Sequence, residues 1–173
     1  MKFTARFNRV IILAAFLFCV GTMANAQTPN VSGDWLLDPN RSEGLPPGMQ
    51  QTMKVSQSGD TVEVETRIKS EQGEQTLKSS YVLNGKEMDV TLPGPMPGST
   101  APGKQTAKWS TDGKAFESID QGTFDTPYGP ATIKTTRKWL LSEDRSTLTV
   151  FLSREGPMTM KSKRVFVRTQ IKN

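Results

Sequence analysis

Apolar residues recur at every second position along most of the chain, and each such stretch ends at a turn signal. This is the pattern of β-strands that bury one face and wet the other. Val62, Val64, Thr66 and Ile68 alternate with Glu63, Glu65, Arg67 and Lys69. After a break at Gln72-Gly73-Glu74, the alternation resumes with Leu77, Ser79, Tyr81 and Leu83, and Met88, Val90 and Leu92 follow Asn84-Gly85-Lys86. Asn-Gly tolerates positive φ at both central residues of a tight turn, so a hairpin is predicted there. Ala107 and Trp109 lead to the turn Thr111-Asp112-Gly113-Lys114, with Phe116 to Phe124 as the return strand. Ile133, Thr135, Arg137, Trp139 and Leu141 then share a face as far as Ser142-Glu143-Asp144-Arg145. Leu148, Val150 and Leu152 run to Glu155-Gly156-Pro157, and a last strand spans Met158 to Thr169. Gly33 to Leu37 and Met53 to Gln57 complete the set.

No window of helical length carries a sustained three-to-four apolar spacing, so the chain reads as all-β. An open sheet of this size would leave sticky edges and one apolar face uncovered, whereas closure removes both problems. The predicted fold is an antiparallel up-and-down meander of about 8–10 strands closed into a β-barrel; a two-sheet sandwich is the competing arrangement, disfavoured because short hairpins leave few long crossovers. Two segments interrupt the meander. Asp38 to Gln50 carries Pro39, Pro46, Pro47, Gly44 and Gly48, and Pro93 to Gly103 is rich in proline and glycine. Neither suits a central strand, because proline removes a ladder donor. They read as surface loops or as a lid over a barrel mouth.

The first residues differ in kind. Lys2, Arg6 and Arg9 precede the uncharged apolar run Val10 to Val20, and Ala24-Asn25-Ala26 offers small residues where a signal peptidase cuts. Met1 to about Ala26 is thus predicted to be a cleavable signal-peptide helix, with a mature domain of residues 27–173 secreted or periplasmic. The single cysteine, Cys19, lies in that run behind the bulky Phe18, which speaks against a lipoprotein. Removing 26 of 173 residues leaves 147, enough for one domain that must rely on an apolar core rather than disulfides. Three of the 22 basic residues leave with the leader and none of the 17 acids, so a net charge of +5 falls to +2. That is too little, and too dispersed, to predict nucleic-acid binding. No apolar stretch of the mature chain is long enough for a transmembrane helix.

Histidine is absent and the mature chain has no cysteine. The inventory therefore excludes Ser-His-Asp triads, cysteine nucleophiles, histidine zinc sites and the usual haem ligands, and no phosphate-cradling P-loop occurs; no cofactor and no metal are expected. Acid pairs are the catalytic device left in stock. Glu63 with Glu65 comes first and Glu117 with Asp120 second, but Glu63 and Glu65 alternate with valines and so read as a solvated face. Arg137 shares a parity with Ile133, Trp139 and Leu141. It either reaches water at the rim, is flipped outward by a bulge, or points inward to anchor a carboxylate.

Gly33-Asp34-Trp35 resembles the G-x-W signature with which lipocalins and related small barrels open, and Gly33 to Ser42 is similar to the G-x-W-x-L-N-x-x-K-S opening of secreted bacterial lipocalin-like proteins. The resemblance implies a calycin-type barrel in which Gly33 and Trp35 close one end, with a basic residue of the last strand, Arg168 rather than Arg164, over the indole. Fatty-acid-binding proteins offer a second comparison. Their last strand carries an R-x-Y pair that holds a carboxylate, and Arg164-Val165-Phe166 matches its arginine but not its hydroxyl. The implied function is binding of a small apolar or amphipathic ligand, not catalysis, in a pocket lined by Val64, Ile68, Tyr81, Arg137, Trp139 and Val150. The alternative is a barrel filled by its own side chains, serving as a structural or interaction module of the cell envelope.

Overall fold

The computed structural model describes residues 29–71, 73–94 and 98–169. The predicted leader lies outside them. Ten strands form one antiparallel sheet: β1 (Gly33–Leu37), β2 (Gln50–Ser58), β3 (Thr61–Ser70), β4 (Gly73–Val82), β5 (Asn84–Pro93), β6 (Thr100–Trp109), β7 (Ala115–Thr126), β8 (Gly129–Leu141), β9 (Thr147–Glu155) and β10 (Met160–Arg168). A three-residue 3-10 turn, Pro39–Arg41, is the only helical element among the described residues. The strands lie in the order β4-β3-β2-β1-β10-β9-β8-β7-β6-β5. Apart from β4 and β5, consecutive strands pair with one another, and β1 meets β10, which rolls the sheet into a nearly closed barrel.

The barrel is not sealed between β4 and β5. These two strands are consecutive in sequence yet form the two ends of the sheet. The hairpin predicted at Asn84-Gly85 is therefore not there. Leu83 N–H donates to Asp60 O at 2.7 Å, holding the chain beside the β2–β3 turn, and Asn84 and Gly85 already belong to β5, where the register to β6 shifts between Asn84 and Glu87. Gly85, at φ 74, supplies the left-handed residue for this irregularity rather than for a hairpin. A local turn signal was outweighed by the curvature that brings β1 to β10.

The second departure is Pro93 to Gly103. The strands extend into both ends of this segment, with β5 running through Pro93 and β6 starting at Thr100. Pro102 is tolerated because β6 pairs there with β5 only: Thr91 faces Pro102, while pairing to β7 begins at Gly103 opposite Gly122. The strand is edge-like at that point, and the missing N–H removes no second ladder bond. Asp38 to Met49 is a loop, as its prolines require, tied down where Glu43 bridges Lys163.

Inward residues at one end form a dense plug. Phe116 and Trp139 stack with ring centroids 5.2 Å apart, Tyr81 lies 6.0 Å from Trp139, and Trp109 meets Phe116 edge-on at 5.7 Å. Val62, Leu148 and Phe166 are fully buried beside them. Trp35, only 1% exposed, closes this end; its Nε1 donates to Val31 O at 3.2 Å and the Arg168 guanidinium carbon sits 4.3 Å above its ring. Arg168 also donates to Ser32 O at 2.7 Å. A side chain at Gly33 would collide with that guanidinium, which explains why glycine opens the strand.

Candidate functional site

The register of β6 to β10 sorts the inward side chains into rungs across the wall. Trp109, Phe116, Trp139, Val150 and Arg164 are cross-strand neighbours at the edge of the plug. The next rung toward the other end is Ala107, Ser118, Arg137, Leu152 and Ser162, and the one after it Gln105, Asp120, Thr135 and Arg154. Beyond lie Gly103, Gly122 and Ile133. The barrel thus passes from an aromatic plug through a polar belt to an apolar wall where Leu92, Phe124 and Ile133 pack together.

A cavity of ≈ 500 Å³ opens on the far side of the belt. Ile68, Leu77, Leu92, Phe124 and Ile133 form its apolar wall, Pro46, Pro47, Met49, Pro93 and Gly94 cover it from the two loops, and Asp120, Thr135, Arg137 and Arg154 make its polar side. Both proline-rich segments thus border the mouth. Gly103 and Gly122 let Leu92 and Phe124 lie close against the wall: a Cβ on Gly103 would lie 2.7 Å from Gln121 O and strike the side chain of Leu92.

The belt is rich in donors and poor in acceptors. Arg137 Nη1 donates to Asp120 Oδ2, and Gln105 Nε2 donates to Asp120 Oδ1 at 3.0 Å. Arg164 Nη1 donates to Gln51 Oε1 at 3.0 Å. The Nε–H groups of Arg154 and Arg164 and the hydroxyls of Ser118 and Ser162 are buried without a partner among the described residues. Burial, then the charges of Arg137 and Arg154, push Arg164 down to about 10; burial, then Arg137, lowers Arg154. Burial works against the Arg137 charge too, but Tyr81 and Asp120 outweigh it and hold that group above its ordinary value.

Of the residues expected to line a ligand, Ile68 and Arg137 do line the cavity. Val64, Tyr81, Trp139 and Val150 face inward as their parity requires but are packed into the plug. Parity names the face of a strand, not the half of the barrel. Arg137 points inward, neither at the rim nor flipped outward, and its partner is the protein's own Asp120. Glu117 and Asp120 do not form an acid pair: three residues apart on a strand, they face opposite sides, and only Asp120 is buried. Glu63 is exposed, and Glu65 pairs outside the barrel with Arg67 at 3.2 Å and Lys78 at 3.6 Å. Arg154 was missed as a site residue, although it continues the parity of Leu148, Val150 and Leu152. Among the described residues no group of three or more His, Cys, Asp or Glu is placed to hold a metal.

No protein-family model matches the sequence, and no curated protein resembles it in sequence. Solved structures do resemble it in shape. Secretory abundant heat soluble protein 4 from Ramazzottius varieornatus superposes with a TM-score of 0.52 at 11% identity, over 82% of this chain and 96% of that one. The fatty-acid-binding protein of Manduca sexta gives 0.45 at 15% identity over 80% and 99%, and the zebrafish ileal bile-acid-binding protein complexed with cholic acid gives 0.47 at 15% over 80% and 98%. The first of these likenesses is one of fold, a lipocalin-like barrel, and of fold alone.

Proposed function

We propose that this is an exported protein that binds one small amphipathic molecule inside its barrel. The observation that carries the reading is the ≈ 500 Å³ cavity with an apolar wall on one side and Arg137, Arg154, Asp120 and Thr135 on the other. Small-molecule sites are concave, mostly apolar and oriented by a few polar groups, with volumes of about 300–1,000 Å³. A barrel serving only as a filled module would pack this half as it packs the plug, yet a cavity of ≈ 500 Å³ remains here. The export step is supported by the leader sequence at Met1 to about Ala26.

The test is titration of the purified exported protein with the neutral lipophilic fluorophore N-phenyl-1-naphthylamine. One saturable site is expected. Leu77 lines the cavity from the end strand β4, where the wall can give, so Leu77→Trp fills the space without disturbing the plug. Affinity should drop at least about tenfold in that variant, the loss of about 1.4 kcal/mol of contact. Absence of saturable binding, or equal affinity in Leu77→Trp, would overturn the reading.

A further inference from the structure

The belt holds more positive charge than the protein balances. Arg137, Arg154 and Arg164 occupy inward positions on neighbouring strands, and Asp120 is the single buried acid among the described residues. Asp120 is engaged by Arg137. Glu71 borders the cavity mouth but is exposed. At neutral pH arginine keeps its proton, so two guanidinium charges remain inside the barrel with no carboxylate opposite them among the described residues. Both side chains are half-buried, and a charge drawn out of water without a counter-ion is unfavourable, so an anionic ligand would relieve it. The hydrogen-bonding inventory points the same way. The buried, partnerless groups of the belt include two guanidinium N–H donors and two hydroxyls, those of Arg154, Arg164, Ser118 and Ser162, and all lie on adjoining rungs. Such a set asks for an acceptor-rich group with several oxygens.

We propose that the ligand's polar end is a doubly negative oxyanion, a phosphate monoester or a paired carboxylate, met by Arg154 and Arg164, with its apolar tail along Ile68, Leu77 and Leu92. The inference rests on the preceding reading of an amphipathic occupant and names its head. Arg154 lines the cavity and receives the head first; Arg164 stands deeper, steadied by Gln51. Arg137 is held by Asp120 and shapes the site without supplying free charge.

The experiment is displacement of N-phenyl-1-naphthylamine by compounds with a nine- or ten-carbon tail: decyl phosphate, decylmalonate, decanoate and decanol, with inorganic phosphate as the tail-less control. Both dianions should compete about tenfold better than decanoate and about a hundredfold better than decanol, since each charge-assisted contact is worth roughly a factor of ten. Arg154→Met and Arg164→Met should each weaken the dianions about tenfold and leave decanol unchanged, decanol binding doubling as the check on folding. Decanoate matching the dianions, or variants that bind decyl phosphate as well as the wild type, would overturn the proposal. Should a variant fail to fold, the wild type decides. Decyl phosphate gains its second charge near pH 6, so affinity rising between pH 5 and pH 8 supports the doubly charged head and a flat profile contradicts it. Inorganic phosphate competing as well as decyl phosphate would contradict the amphipathic occupant. If neither fluorophore nor decanol binds, the fault lies with the ligand-binding reading itself.

Discussion

Replacing Arg164 by methionine should make the empty protein more stable. Burial first, and then the charges of Arg137 and Arg154, bring Arg164 from the ordinary arginine range down to about 10. At about 1.4 kcal/mol for each tenfold change in proton affinity, folding disfavours the charged side chain by about 3 kcal/mol. Arg164 is a base whose value in the fold lies below its unfolded value. The penalty is therefore present in full at neutral pH and fades only as pH rises through about 10. Methionine keeps the unbranched apolar stem and removes the charge. Against the gain stands the bond to Gln51, which is 4% exposed and would keep an unsatisfied oxygen, a loss of about 1–2 kcal/mol. The net expectation is a stabilisation of about 1–2 kcal/mol, or a rise in Tm of about 3–6 °C for a domain of this size. Urea denaturation at pH 7, followed by the fluorescence of Trp35, Trp109 and Trp139, measures it. A loss of stability above about 1 kcal/mol at unchanged m-value would refute the reasoning, because it would mean that Arg164 is a satisfied structural residue rather than a strained one.

Asp120→Asn leaves Arg137 buried without its counter-charge and should destabilise the protein by about 3–5 kcal/mol, part of which added decyl phosphate should restore; urea denaturation with and without the anion measures both effects. Arg168→Gln removes the cation above Trp35 and the bond to Ser32, and a loss of about 1–3 kcal/mol is expected by the same assay, with no change in cavity binding. Asp144, held down to about 2 by the Ser142 hydroxyl and then by Ser146, braces the β8–β9 turn. Its contribution is present above the ordinary carboxylate value near pH 4 and is lost as pH falls toward 2. Protection of the Ser146 amide against hydrogen exchange should fade over that window in the wild type and be low throughout in Asp144→Asn.

The strands were legible because each sequence run carries its own evidence: Val62 to Ile68 and Leu148 to Leu152 alternate whatever surrounds them, and Asp112-Gly113 and Asp144-Arg145 mark their turns. Pairing across β4 and β5 was not legible, since Asn84-Gly85 is a hairpin signal only when its flanking strands are free to meet, and barrel curvature holds them apart. The site was half legible for a related reason. Parity placed Arg137 on the inner face, but the depth of each inward residue follows from the stagger between strands, which sends Val64, Tyr81, Trp139 and Val150 to the plug and leaves Ile68 and Arg137 at the cavity. The charge of the belt emerges only when β8, β9 and β10 are laid side by side, because Arg137, Arg154 and Arg164 come from three separate strands. Each reads alone as an ordinary arginine on a strand.

The central claim is that guanidinium groups inside the barrel receive an anionic head. Arginine side-chain Nε–Hε NMR tests it directly, with the signals of residues 154 and 164 assigned from the methionine variants. On titration with decyl phosphate these two signals should shift saturably at one equivalent, while those of the surface residues Arg41 and Arg67 stay in place. Shifts confined to Arg41, Arg67 and other exposed side chains, with Arg154 and Arg164 unmoved, would contradict the account.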